Sequence, residues 1–545
     1  MHAATRFDSQ SVGALPVITQ YLQRLRLANA VNDLVPWEGE VPLGTLVEVL
    51  VANRLLRPRA LFRVDQWAQT AAVVDYFDLG PGQLNDDRLG RALERLAAHA
   101  DAIQAALVLA AVPAFQLDVA QVHYDITGVE LFGAHDLEVP EGQAPPTPLP
   151  TYGRTRSGRK NVKQIQLGIN GTGGGGVPVA HEPLDGNAAE APAHLDNLRR
   201  LKEVLPRRKL LYIADTKLDT PANLLAVAAR GGQFLCGGAF SPQLQQLYLR
   251  HRRKLRPVDY HPRSQEHWPA EQRDQYQAFE RAERLRGEVD GQKVRLNYRL
   301  LFAWSQAKAR QEAATRGRHL AKVREAFAAA ERNLNRYSLK THEAIVRRLE
   351  AAKAKYAEGE LFAYELTQDR QKQFHLQWQL DAKALEEWKL LEGVYVLKTS
   401  LAPGNAPLAK VLAKYKEQSQ VERRIHHLKG PLAVAPLFLK NPERIAGLSC
   451  IVVWALMVLA LMERHVRRGL KGKPLFGLYP ENRPSPAPTG PALLDCFRTW
   501  CVVIVKHRGT TSRRLAEPTE TQRTLLRLLG IPPDALRTFK RRCGM

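Results

Sequence analysis

The chain has 545 residues, enough for about three to five domains, and with 45% hydrophobic and 25% charged residues it is globular and not disordered. Lys and Arg number 79 against 55 Asp and Glu, a formal charge of +24 that points to a polyanionic partner, either nucleic acid or an acidic membrane surface. Five cysteines without a C-x2-C pair exclude a disulfide framework and a zinc module; the opening MHAATRFDSQSVGALP has no apolar stretch and no cleavage site, so the expectation is no signal peptide and a reducing cytosol.

Residues 10–112 carry apolar positions at helical spacing, as in LPVITQYLQRLRLANAVNDLV and TLVEVLVANRLL. Asn85 or Asp86 is placed to cap a long amphipathic helix that follows. Such a front domain, 1–112, reads either as a DNA reader or as a packing or dimerisation module. The character changes at Gln121–Phe132, which reads as a strand. A Pro/Gly-rich loop (133–160) ends in YGRTRSGRKN, followed by a strand from Lys163 to Ile169. The glycine run 173–176 is a hairpin connection; without a following G-K-[ST] it is no phosphate-binding loop. Val177 to Leu184 is a third strand. A helix (191–205), a short strand from Lys209 to Ala214, a helix (220–230) and a strand from Gln233 to Gly237 complete a mixed sheet flanked by helices, an α/β core over 113–240.

Residues 241–391 read as a mostly helical insertion, with Val294 to Thr315 and Arg318 to Ala357 as a long antiparallel helical pair. The second part of the core is expected over 392–470: a strand at Gly393 to Thr399, a helix from 407 to 429 and another from 442 to 468. The 18 uncharged residues from Ile445 to Met462 reach the lower range for a membrane span, but a single such segment reads better as a core helix. A linker and a small tail fill 471–545.

Two acidic residues interrupt or end apolar strands: Asp125 and Asp215. A carboxylate there costs free energy unless it is paired or binds a cation, although an Asp at a strand end also caps turns. In the helix around 422, Tyr415, Glu422 and Lys429 are spaced by seven, and Gln418 and His426 lie four residues either side of Glu422. All five fall on one face of a continuous helix, either a solvated face or a functional one. Glu417 points elsewhere and reads as a surface charge. His123, two residues before Asp125, reads as a structural histidine. No Ser/His/Asp or Cys nucleophile arrangement stands out.

Spacing and order together resemble the Y-x2-R-x3-E-x6-K signature of bacterial insertion-sequence DDE transposases, in the superfamily named after insertion sequence four. Tyr415, Glu422 and Lys429 fit the signature, with Gln418 where the family has Arg. HYDIT at 123–127 and YIADT at 212–216 resemble the strands of the first and second Asp, LDGN at 184–187 resembles the family's turn, and LNDDRLGRALERL resembles the opening domain of one branch. The resemblance spans roughly 15–515. It implies a ribonuclease-H-like mixed sheet interrupted by a large insertion, and a DNA transposase that cuts element ends by metal-dependent phosphodiester hydrolysis and joins the 3′-OH ends to target DNA. It further implies Asp125, Asp215 and Glu422 as ligands of two Mg²⁺ ions, for which Mn²⁺ can substitute, and a homodimer on double-stranded DNA bearing terminal inverted repeats. Tyr415, Gln418 and Lys429 would contact DNA. Arg154, Arg156, Arg159 and Lys160, on the loop between the first two strands, and the basic run 250–256 are either phosphate contacts or solvated faces. The implied setting is the bacterial cytoplasm at the nucleoid, with no membrane. The rival reading is a catalytically inactive, transposase-derived DNA-binding protein.

Overall fold

The computed structural model describes residues 6–545 except 134–147, 154, 156–157, 160, 206–208, 263–264, 267, 431, 433–438 and 509. The chain divides into two compact units: residues 1–234, 287–294 and 417–545 form the first, and 235–286 and 295–416 the second.

The first unit contains the expected mixed sheet flanked by helices. Its strands lie in the order Pro178–Leu184, Lys163–Thr172, Gln121–Glu130, Leu211–Ala214; the second is antiparallel to both of its neighbours and the last is parallel to Gln121–Glu130. This is the layout the ribonuclease-H-like expectation requires: two hairpin-type connections, then a crossover through the helix Glu190–Val204. The Gln121–Glu130 strand is mostly buried along its length, because helices cover the sheet on both faces. On one face Tyr124, Tyr212 and His194 pack together, and His194 Nδ1 lies 3.0 Å from the Tyr212 hydroxyl. Asn197 donates to the same hydroxyl and exchanges hydrogen bonds with Asn170. Gly168 leaves room for this layer: a Cβ there would sit 2.5 Å from the Tyr124 oxygen.

Asn85 caps the helix Asp86–Ala97 by accepting from the Arg88 N–H at 2.9 Å. That helix crosses the apolar helix Pro442–Leu470, which also packs on Leu43–Leu56 and on the edge strand Pro178–Leu184. The crossing is close at Gly447, whose missing Cβ would fall on the Leu93 carbonyl oxygen. The apolar helix is long and apolar enough to span a membrane, but 94% of its apolar window is buried inside the protein, which is the core-helix arrangement. The two ends of the chain share a sheet: Arg6–Ser11 pairs antiparallel with Cys501–His507, which forms a hairpin with Thr510–Leu515. Arg513 on this hairpin donates to Asp75, joining the last part of the chain to the N-terminal helices.

The second unit departs from the helical expectation for 241–391. The helices Gln306–Arg332 and His342–Ala354 are present, but they follow two 14-residue strands, Tyr276–Val289 and Gln292–Ser305. Val294 to Thr315, read as helix, is strand through Ser305, whose hydroxyl then caps the helix by accepting from Lys308 N–H. The charged residues of both strands mimic a solvated helix. Pairing with Val394–Thr399 and burial of Leu300, Leu301 and Phe302 override that local preference. A smaller core around Phe327, Phe362 and Trp378 joins the two helices to the hairpin Phe362–Gln368/Phe374–Leu380.

Candidate active site

Asp125 lies on one strand of the first unit, and Asp215 directly follows the adjoining strand. The parallel register pairs Gln121 with Leu211, Val122 with Tyr212 and His123 with Ile213. Asp125 lies two residues beyond the last of these pairs on its strand, and Asp215 directly follows Ala214 at the carboxyl end of the neighbouring strand. Asp125 is half-buried and accepts from the Ile126 N–H at 2.9 Å. Asp215 is exposed and accepts from the Lys217 N–H at 2.9 Å, capping the turn that follows.

The helix of Glu422 is anchored beside this pair. It runs from Gln418 to Lys429, separated at Glu417 from the helix Leu408–Lys416, so the continuous helix expected over 407–429 is two helices. Gln418 is 8% exposed; its Nε2 donates to the Tyr124 carbonyl at 3.3 Å and its Oε1 lies 3.3 Å from His123 Nδ1. It therefore faces the Asp125 strand, where a short buried amide braces helix to sheet. Glu417 is likewise no loose surface charge. Its carboxylate accepts from Gln121 Nε2 at 2.7 Å and lies 3.9 Å from His123 Nε2. His123 is fully buried among these groups, which fits its structural reading.

The glycine run closes the other side. Gly175 N–H donates to Gln420 Oε1 at 2.7 Å, and Gly175 O accepts from Arg424 at 3.1 and 2.5 Å. A Cβ at Gly171 would sit 2.8 Å from Val421 Cγ2, and one at Gly173 would sit 2.6 Å from Gln121 Nε2. The glycines thus permit the hairpin to close on the Glu422 helix. Arg424 continues the anchorage through a buried ion pair with Glu463 of the apolar helix, at 3.0 and 3.2 Å. Burial pushes the Glu463 carboxyl up, but Arg424, Arg467 and the Gly490 N–H outweigh it and hold it below the usual carboxylate range. These anchors escaped the sequence reading; the glycine run was their visible signal.

Glu422 itself is exposed, one turn beyond Gln418, and Lys429 is the half-buried last residue of its helix. Among the described residues, no three His, Cys, Asp or Glu side chains come together as a metal site. Tyr415 belongs to the second unit, where the adjacent Lys416 ammonium stacks 4.9 Å from the Tyr395 ring. Arg159 is exposed and lies 3.7 Å from Glu130. Arg154, Arg156 and Lys160 lie outside the described residues.

Residues 7–108, the segment read as the N-terminal domain, match the profile of a domain of unknown function, DUF4277. No curated protein matches. Among solved structures, the chain is similar to a piggyBac transposase synaptic complex with hairpin DNA, at 7% identity and a TM-score of 0.34, covering 99% of this chain and 87% of that one. It is also similar to a Mos1 transposase paired-end complex with left transposon end, at 13% identity and a TM-score of 0.15, covering 38% of this chain and 63% of that one. At such scores neither likeness carries the functional reading, which rests on the residues.

Proposed function

We propose that the chain is a DNA transposase of the DDE type, which cuts the ends of an insertion element in double-stranded DNA and joins the freed 3′-OH ends to a target. The observation that carries this reading is the parallel pairing of the Asp125 strand with Leu211–Ala214, which Asp215 directly follows, next to a helix bearing Glu422 that is braced against the Asp125 strand. Carboxylate oxygens suit hard cations that also take phosphate, with Mg²⁺ the expected metal and Mn²⁺ a substitute. Two such ions, where held, stabilise the attacking and leaving oxygens of an in-line displacement at phosphorus. Asp125, Asp215 and Glu422 would be the three carboxylates. Gln418, Glu417 and Arg424 are positioning residues that fix the Glu422 helix. Lys429 and Tyr415 are proposed DNA contacts, and the protein would act as a homodimer on its ends.

Asp125→Asn, Asp215→Asn and Glu422→Gln each keep shape while removing a ligand charge. Each should lower metal-dependent nicking of duplex carrying the element ends by orders of magnitude, with DNA affinity retained. Glu325→Gln, on an exposed face of the second unit, should stay active. Nicking that survives in all three carboxylate variants would overturn the reading. A second reading, an inactive DNA-binding derivative, draws support from Gln418, a buried amide at the position where the resembled family carries Arg. It predicts end binding without nicking by the unmutated protein in either Mg²⁺ or Mn²⁺.

A further inference from the structure

The positive charge is unevenly divided between the two units. Residues 235–286 and 295–416 contain 33 Lys and Arg and 19 Asp and Glu, a balance of 33 − 19 = +14 out of the whole chain's +24. The densest part is one turn. The helix Pro242–His251 ends in Arg250 and His251, a 3-10 turn Arg252–Lys254 follows, and Arg256 opens the short strand Arg256–Val258. Seven residues carry five Lys or Arg and no acid. Arg256 is spent on the turn: its guanidinium donates to the carbonyls of Arg253 and Leu255, at 3.0 and 2.9 Å. Arg250, Arg252, Arg253 and Lys254 are exposed, and among the described residues none has an acidic partner within ion-pair distance. The contrast is with Arg299, Arg316 and Lys308 of the same unit, each of which is paired with a glutamate.

We infer that this turn is a docking surface for the phosphate backbone of duplex DNA, separate from the carboxylate site and independent of base sequence. Four cations without acidic partners among the described residues, on a turn pinned by Arg256, repel one another in the free protein. A polyanion relieves that repulsion, and each phosphate neutralised releases condensed counterions, which makes the binding salt-dependent. The end of a helix, with its partial negative charge, holds cations favourably and so supports the cluster between encounters. The inference rests on the DNA reading for its partner, but it assigns the docking to residues outside that reading's site.

The test is duplex binding by the full chain over a salt series. In Arg250→Gln/Arg252→Gln/Arg253→Gln/Lys254→Gln the slope of log affinity against log salt should shrink by about 0.9 for each phosphate no longer neutralised, so by roughly 2–4. Arg250→Lys/Arg252→Lys/Arg253→Lys keeps the charge and should keep most of the slope. Arg310→Gln/Lys322→Gln/Arg324→Gln/Arg332→Gln removes the same charge from an exposed helix of the same unit. It should change the slope by less than half as much. An unchanged slope in the first variant, or an equal reduction in the last, overturns the inference while leaving DNA binding standing. Salt-insensitive binding, or no binding, by the unmutated protein overturns the DNA reading along with it.

Discussion

The Arg424 side chain ties three segments: the Glu422 helix it belongs to, the glycine hairpin and Glu463 of the apolar helix. With side-chain exposures of 3% and 0%, the Arg424–Glu463 pair has little solvent to replace a missing partner. Arg424→Met should therefore destabilise the fold by about 3 kcal/mol, since a buried carboxylate is left short of compensation. Arg467, 2.7 Å from Glu463, limits the loss. Denaturant unfolding measures it, and adding Glu463→Leu should recover part of it; a neutral Arg424→Met would show that the pair is not what holds the helix. Gln418 shows the same principle on a smaller scale. An amide that reaches both His123 and a main-chain carbonyl is held toward the strand, so which way a polar residue faces is settled by what lies within hydrogen-bond reach.

Elements meet where glycine lets them. Gly447 stands at the crossing of the apolar helix with Asp86–Ala97, and Gly447→Val would drive its side chain into the Leu93 carbonyl. Such overpacking costs about 1–3 kcal/mol, read as a lower thermal midpoint. Gly317 is the opposite case: it lies inside the helix Gln306–Arg332 with nothing within 4 Å of its Cβ position. Gly317→Ala should raise stability by about 0.5–1 kcal/mol through helix propensity alone. A Gly447→Val protein as stable as the unmutated one would sink the packing account of Gly447. The strands Tyr276–Val289 and Gln292–Ser305 carry the complementary lesson. Their Arg, Glu and Ala content favours helix locally, yet each forms fourteen residues of strand once a partner is alongside.

Over the whole molecule, acid stability is governed by buried imidazoles. Burial, assisted by Arg200, holds His181 down to about 3; burial holds His194 at about 4, and burial with Arg424 nearby holds His427 at about 4. Each therefore binds its proton more readily in the unfolded chain. Their contribution is complete above the unfolded value near 6.5 and is lost as pH falls toward 3–4. Glu182 runs the other way. Burial raises its carboxyl to about 7 against the hydrogen bond from Tyr124 and the charge of Arg200, so its contribution is lost as pH rises from about 4.5 to 7. Glu48, raised to about 7 by burial, acts with Glu182, while His465, Glu463 and Asp75 are also held down and act with the three histidines, so the thermal midpoint should fall from pH 6.5 toward pH 4. Neither His181 ring nitrogen has a hydrogen-bond partner, so His181→Phe should flatten that fall without losing a bond. A midpoint that stayed level over this range in the unmutated protein would contradict the account.

Sequence alone determined the features that depend on short-range pattern and composition. The strands bearing Asp125 and Asp215, the Asn85 cap, the buried nature of the apolar helix and the surplus of positive charge were legible because periodicity, capping chemistry and counting are local or additive. Tertiary structure decided what depends on phase and partner. The helix expected over 407–429 ends at Lys416 and restarts at Gln418, and the side chains there turn to whatever packs against them. Glu417 and Gln418 accordingly turn to Gln121 and His123 and not to solvent. The insertion's strand Gln292–Ser305 needed the burial of Leu300–Phe302 and pairing with Val394–Thr399, about a hundred residues away, to overcome a composition that favours helix. The pairing of Arg6–Ser11 with Cys501–His507 joins the chain's extremes, and a pairing at that separation leaves no trace in any local window.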